Sequence, residues 1–295
     1  MRTLWFSLCC LAIFGILALL IYQPLWLTAQ PTASPSVVTT PPETQKSSLR
    51  PLKICSDLWM PYTGEAGTAR EGYLIDIMRQ VYEPLGYQVE YSTLPWTRCV
   101  QEVREGRYDG LVGTVFSQTP DMVFPESSLG IDQAVFYTLP GSRWSYTGLQ
   151  DLQRVRLGVA QDYDYTELLD LYLRRNAKTG KVWFARGEYP LDRMVAALQD
   201  GDIDVFVEGQ EVVSYYMKQH RGRVRIRTAG PIGPAVRIYA AFSPRLEDAE
   251  AFAQMLDRKI DDLRVTGQLQ AILDRYGMTD WRHKQPAADR AGVGR

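Results

Sequence analysis

Two stretches of the chain repeat one pattern. Val103–Gly113 reads VREGRYDGLVG and Leu198–Glu208 reads LQDGDIDVFVE. Each runs from a polar–apolar helical pattern into Gly, two further residues, Asp and a short apolar run. Glycine takes the left-handed conformation that ends a helix at little steric cost. The apolar run after it suits a buried strand. Gly106 and Gly201 lie 95 positions apart. One helix–glycine–strand junction is common in α/β proteins. Two with the same Gly-x-x-Asp spacing point to two similar α/β lobes in one chain.

The surrounding pattern agrees. Leu52–Ser56 predicts a strand, Tyr73–Leu85 a helix stopped by Gly86, Tyr87–Tyr91 a strand, Thr97–Glu105 a helix and Tyr108–Thr114 a strand. The series restarts with a strand at Val155–Ala160, a helix at Tyr165–Arg175, a strand at Val182–Ala185, a helix at Leu191–Gln199 and a strand at Ile203–Val207. Alternating strands and helices imply parallel sheets. A late strand follows at Ile238–Phe242, then helices at Leu246–Leu263 and Leu269–Tyr276. The chain is expected to cross between lobes near Val135–Thr138 and to return near Ile238–Ala241. Two crossings make a hinge, and the space between lobes makes a cleft.

The first residues have a different character. Leu4–Tyr22 is nearly all apolar, with Ser7 its only clearly polar side chain. Nineteen residues of helix approach the roughly 30 Å of a bilayer core. An uncleaved anchor and a signal cut after Ala29 are both open readings, and both send the rest of the chain across the membrane. Arg2 keeps the short N-terminus on the cytoplasmic side. Cys9 and Cys10 read as small embedded hydrophobes, because Leu8 occupies the position where a lipid-attachment motif needs a small residue. Residues 28–50 are rich in Pro, Ser, Thr and Gln and read as a tether. Residues 282–295 read as a disordered tail.

Charge narrows the partners. The chain has 33 basic and 34 acidic residues. Without residues 1–50 the balance is 30 to 33, so no basic field calls for nucleic acid. Only Cys55 and Cys99 lie beyond the apolar segment. In an oxidising compartment they either pair or remain separate thiols. His220 and His283 sit among basic, polar residues and read as surface side chains. This set makes no metal site, no phosphate loop occurs, and no cofactor is expected.

Several short motifs carry a resemblance. They are Leu58-Trp59-Met60-Pro61-Tyr62, Glu71-Gly72-Tyr73-Leu74-Ile75-Asp76, Pro95-Trp96-Thr97-Arg98 and Glu105-Gly106-Arg107-Tyr108-Asp109-Gly110. In order and spacing they resemble the first lobe of the bacterial family 3 solute-binding proteins, the polar-amino-acid type of periplasmic binding protein. Leu157–Tyr165 resembles the start of their second lobe, and Thr266–Gly277 their final helix. The resemblance covers about residues 51–281. It implies an α/β, two-lobed type II periplasmic binding-protein fold that closes on a small ligand, with lobe 1 at about 51–137 and 240–281 and lobe 2 at about 138–239.

The same resemblance implies the site. Trp59 and Tyr62 stand for an aromatic wall, Thr114 for a hydroxyl donor after the third strand, and Gln161 and Asp162 for the second-lobe helix start; Tyr73, Phe116 and Tyr163 are further ligand-binding candidates. Glu208 matches an acid that meets a ligand amine. The family's Arg, which clamps a ligand carboxylate, is missing from Thr114–Met122. Arg98 is the substitute candidate. An amine-bearing or amino-acid-like solute is expected, bound by a monomer for an ABC permease. A membrane-held ligand sensor is the alternative. An enzyme of the dehydratase type, using Glu208 as a cleft acid, is a third reading; fold alone does not decide chemistry.

Overall fold

The computed structural model describes residues 50–161, 163–187 and 189–284. The expected anchor or signal segment, Cys9 and Cys10, nearly all of the tether, Asp162 and residues 285–295 lie outside the described residues.

The first lobe opens with β1 (Pro51–Ser56), α1 (Tyr73–Tyr82), β2 (Gln88–Thr93), α2 (Trp96–Arg104), β3 (Gly110–Thr114) and β4 (Gly130–Asp132). The second lobe holds β5 (Ala134–Thr138), β6 (Leu157–Ala160), α3 (Glu167–Asn176), β7 (Val182–Ala185), α4 (Pro190–Asp200), β8 (Val205–Gly209), α5 (Gln210–Gln219) and β9 (Arg227–Pro231). β10 (Val236–Phe242), α6 (Ala249–Val265) and α7 (Gln268–Asp274) complete the first lobe. The sheets have the orders β2-β1-β3-β10-β4 and β7-β6-β8-β5-β9.

The parallel core of each sheet matches the expected pattern: β1 pairs with β2 and β3, and β6 with β7 and β8. The remaining pairs are antiparallel, β10 with β3 and β4, and β5 with β8 and β9. This pairing moves the expected crossings. Ala134–Thr138 belongs wholly to the second sheet and Val236–Phe242 to the first. The chain therefore changes lobe at Gln133 and again across 232–235, a few residues before each expected point. Hydrogen bonding to β8 and β9 commits β5 to the second lobe along its whole length.

The repeated phrase has one structural meaning in both lobes. Gly106 (φ 76°) and Gly201 (φ 79°) share the left-handed conformation. The Asp109 N–H donates to the Lys53 carbonyl (2.8 Å), and the Lys53 N–H donates to Asp109 Oδ2 (2.7 Å). In the second lobe the Asp204 N–H donates to the Arg156 carbonyl (2.9 Å), and the Arg156 N–H to Asp204 Oδ2 (2.8 Å). Each aspartate thus ties the end of its junction to a parallel neighbouring strand, β1 in the first lobe and the entry to β6 in the second.

Apolar periodicity positions the helices. Leu74, Ile75, Ile77, Met78, Val81 and Tyr82 bury one side of α1, and α6 contributes Phe252, Leu256, Ile260 and Leu263 to the same core. A disulfide joins Cys55 on β1 to Cys99 on α2. Among the described residues no helix is long and apolar enough to cross a membrane.

Candidate ligand cleft

The strands of both lobes aim their carboxyl ends at one cleft of about 200 Å³. Asp57 and Trp59 follow β1, Val115, Ser117 and Gln118 follow β3, Tyr163 to Thr166 follow β6, and Glu208 and Gly209 end β8; all line it. Asp132, Ala134, Ile232, Gly233 and Val236 line it from the two hinge segments. Loops outside strand carboxyl ends are where open α/β sheets place ligands.

Three enclosed carboxyl groups line this space, beside the exposed Asp164. Asp57 comes from the first lobe, Asp132 from the hinge and Glu208 from the second lobe. Burial pushes each above the usual carboxylate range, Asp57 to about 6, Asp132 to about 7 and Glu208 to about 8. The cause is loss of water around the charged form. It outweighs the hydrogen bonds that favour ionisation: Tyr163 to Asp57, Tyr62 to Asp132, and the Gly209 N–H to Glu208. The Glu208 carboxyl is raised further by Asp132 and Asp57, while the Trp59 indole N–H favours its ionised form.

Local packing holds the acids in place. Glu208 is only 5% exposed, and its Oε1 accepts the Gly209 N–H at 2.7 Å. A Cβ at position 209 would stand 2.3 Å from Asp132 Oδ1, so glycine there admits the Asp132 carboxylate beside Glu208. Tyr62 Oη donates to the Ile131 carbonyl (2.7 Å) and to Asp132 Oδ1 (3.2 Å). Tyr163 Oη donates to Asp57 Oδ2 at 3.5 Å, from one lobe to the other. Tyr165 Oη accepts the Ala160 N–H at 2.9 Å, fixing the chain after β6.

Aromatic rings supply the rest of the wall. Trp59, Trp96, Tyr163 and Tyr165 line the cleft. Trp59 stacks on Tyr62, with ring centroids 4.2 Å apart, and the packing continues to Tyr73 at 5.5 Å. Such faces attract cations through the ring quadrupole.

The sequence candidates divide in this frame. Trp59, Tyr163 and Glu208 line the cleft. Tyr62 and Tyr73 are buried behind it, where Tyr62 orients Asp132. Thr114 is fully buried and bonds Thr119 Oγ1 at 3.1 Å, so its hydroxyl faces protein; Gly113 lines the cleft instead. Phe116 is 61% exposed and packs on Phe124. Arg98 lies on the outer face of α2, its side chain 66% exposed and near Glu102 at 3.5 Å. It does not replace the missing clamp. Gln161 is partly buried outside the lining. Asp57, Asp132, Trp96 and Tyr165 were not singled out from the sequence. The visible signals were modest: Asp57 flanks a quoted motif, and Trp96 and Tyr165 lie inside others.

No protein-family model matches the chain, and no curated protein matches it. Solved structures do. A histidine kinase sensor domain with similarity to periplasmic binding proteins is 20% identical; the match covers 77% of this chain and 96% of that one, with a TM-score of 0.60. A solute receptor for L-cysteine of Neisseria gonorrhoeae is 15% identical, covering 81% of this chain and 94% of the other, with a TM-score of 0.59. An ancestral arginine-binding protein bound to arginine is 15% identical over 77% and 97%, with a TM-score of 0.58. Such likeness speaks to architecture: the described residues have the two-lobed α/β fold of the periplasmic binding proteins.

Proposed function

We propose that this chain binds a small polar solute, amino-acid-like or amine-bearing, outside the cytoplasm by hinge closure. The observation that carries this reading is the cleft itself, walled by loops of two separate sheets and bridged by Tyr163 and Asp57. A solute touching both walls stabilises the closed form over the open one, and that difference drives closure. Closure excludes water, so each polar contact inside strengthens.

Delivery to an ABC permease is the leading role. Structural neighbours include substrate-binding domains of amino acid ABC transporters. In this role the chain works as a periplasmic monomer. Ligand sensing is the second reading. It is favoured by the sensor-domain neighbour and by the apolar Leu4–Tyr22 segment, which would hold the chain at the membrane. The neighbours named are binding proteins and a receptor domain, which argues against the cleft-acid enzyme. Solution X-ray scattering tests the mechanism: a solute that binds in the cleft lowers the radius of gyration, and one that binds without changing it contradicts hinge closure.

A further inference from the structure

From the composition of the cleft we infer that its ligand is a compact organic cation, an amine or guanidine without a carboxylate, held between Asp57, Asp132 and Glu208. This inference rests on the solute-binding reading and narrows it.

The first ground is charge. No Lys, Arg or His is among the described residues lining the cleft, while Asp57, Asp132, Asp164 and Glu208 are. Arg237 is the basic residue nearest to the lining in sequence. It pairs with Ile131 across β10 and β4, whereas the lining residue Val236 pairs with Asp132. Directly opposed residues share a sheet face and successive ones alternate. Val236 and Asp132 are in the lining, and Arg237 and Ile131 are not. A ligand carboxylate in this space meets acids and no cation among the described lining residues.

The second ground is the backbone. Helix N-termini offer N–H donors to anions, and α5 begins at this wall. At its N-cap, the Gly209 N–H already donates to Glu208 Oε1 at 2.7 Å. At the start of α3 the Thr166 side chain accepts the Leu169 N–H. The protein's own oxygens occupy one donor at each of the two helix starts on this wall.

The third ground is the aromatic wall. Trp59, Trp96, Tyr163 and Tyr165 line the same cleft as the acids, and a cation flanked by ring faces and carboxylates is attracted by both. Burying three carboxyls is costly, and a bound cation relieves that cost.

Matched pairs separate the carboxylate from the rest of the molecule: putrescine and ornithine, cadaverine and lysine, agmatine and arginine. Calorimetric titration of the full chain should show the decarboxylated member of at least one pair binding at least tenfold more tightly than its amino acid. Glu208→Gln and Asp57→Asn should each lower that affinity tenfold or more while the protein still melts cooperatively. An amino acid that binds as tightly as its amine, or a neutral or acidic solute that binds while all three amines fail, overturns the inference and leaves solute binding standing. Failure of every compound, including neutral sugars and organic acids, overturns both.

Discussion

Tyr163, in the second lobe, donates its hydroxyl to Asp57 of the first lobe at 3.5 Å. This bond spans the cleft and exists only when the lobes are near each other. A hydrogen bond to a charged group contributes roughly 1.5–3 kcal/mol at good geometry, and a neutral one about 1. At 3.5 Å the lower figure applies. Tyr163→Phe is expected to weaken solute affinity about fivefold, equivalent to about 1 kcal/mol, with little change in the melting temperature of the empty protein. Calorimetric titration beside thermal unfolding checks this. Unchanged affinity would mean that the bond has no part in closure.

The raised carboxyls predict a pH dependence. Asp57, Asp132 and Glu208 stand near 6, 7 and 8 in the folded chain and near 4 when unfolded, about 3.9 for Asp and 4.3 for Glu. Between those values the native state holds more protons than the unfolded chain. The contribution of these groups to stability is therefore full below about pH 4 and is lost as pH rises through about 6 to 8. Glu211 also raises Asp132, while Tyr62, Tyr73, Tyr163 and Tyr165 face the acids with hydroxyls pushed well above their ordinary range. Those phenols stay neutral across this window. A bound cation favours the ionised acids, so the melting shift produced by putrescine should grow from pH 5.5 to pH 8. A shift that shrinks over this range contradicts the assignment of the acids to the ligand.

Removing the disulfide should cost stability and spare the site. Cys55 and Cys99 are 44 residues apart in sequence, and closing a loop of that length stabilises by about 4 kcal/mol on the chain-entropy relation. Replacing both with serine is expected to lower unfolding stability by about 2–4 kcal/mol in urea titrations. Solute affinity should stay within about twofold, because neither cysteine lines the cleft.

The junction aspartates predict a matching effect in both lobes. Asp109→Ala and Asp204→Ala each remove the acceptor for a backbone N–H, of Lys53 and of Arg156 respectively. Each should destabilise by about 1–2 kcal/mol, read from chemical denaturation, and neither should alter affinity.

Legibility in the sequence followed the range of the interactions. The parallel strands and their helices could be read because apolar period and glycine punctuation are local signals, as at Gly106 and Gly201. β5 and β9 pair antiparallel with partners far away in the chain, so their lobe and the hinge points required the folded structure. The site behaves likewise. Glu208 was visible through its place after a strand. Asp57 and Asp132 resemble ordinary turn acids until the fold sets them against one cleft. Thr114 was expected to face ligand, but Gly113, with φ 94°, fills that place at the end of β3 and Thr114 turns to Thr119. The absence of an Arg from Thr114–Met122 was already legible. That Asp57 and Asp132 join Glu208 in the lining of one cleft was not.

Melting of the full chain and of the Asp57→Asn/Glu208→Gln variant across a panel of amines, amino acids, sugars and organic acids tests the central claim most directly. A ligand at 100 times its dissociation constant stabilises by about 2.7 kcal/mol. The account predicts that at least one polar solute raises the melting temperature of the unaltered chain and leaves that of the variant unmoved. A panel that shifts neither protein, or a solute that shifts both equally, would contradict it.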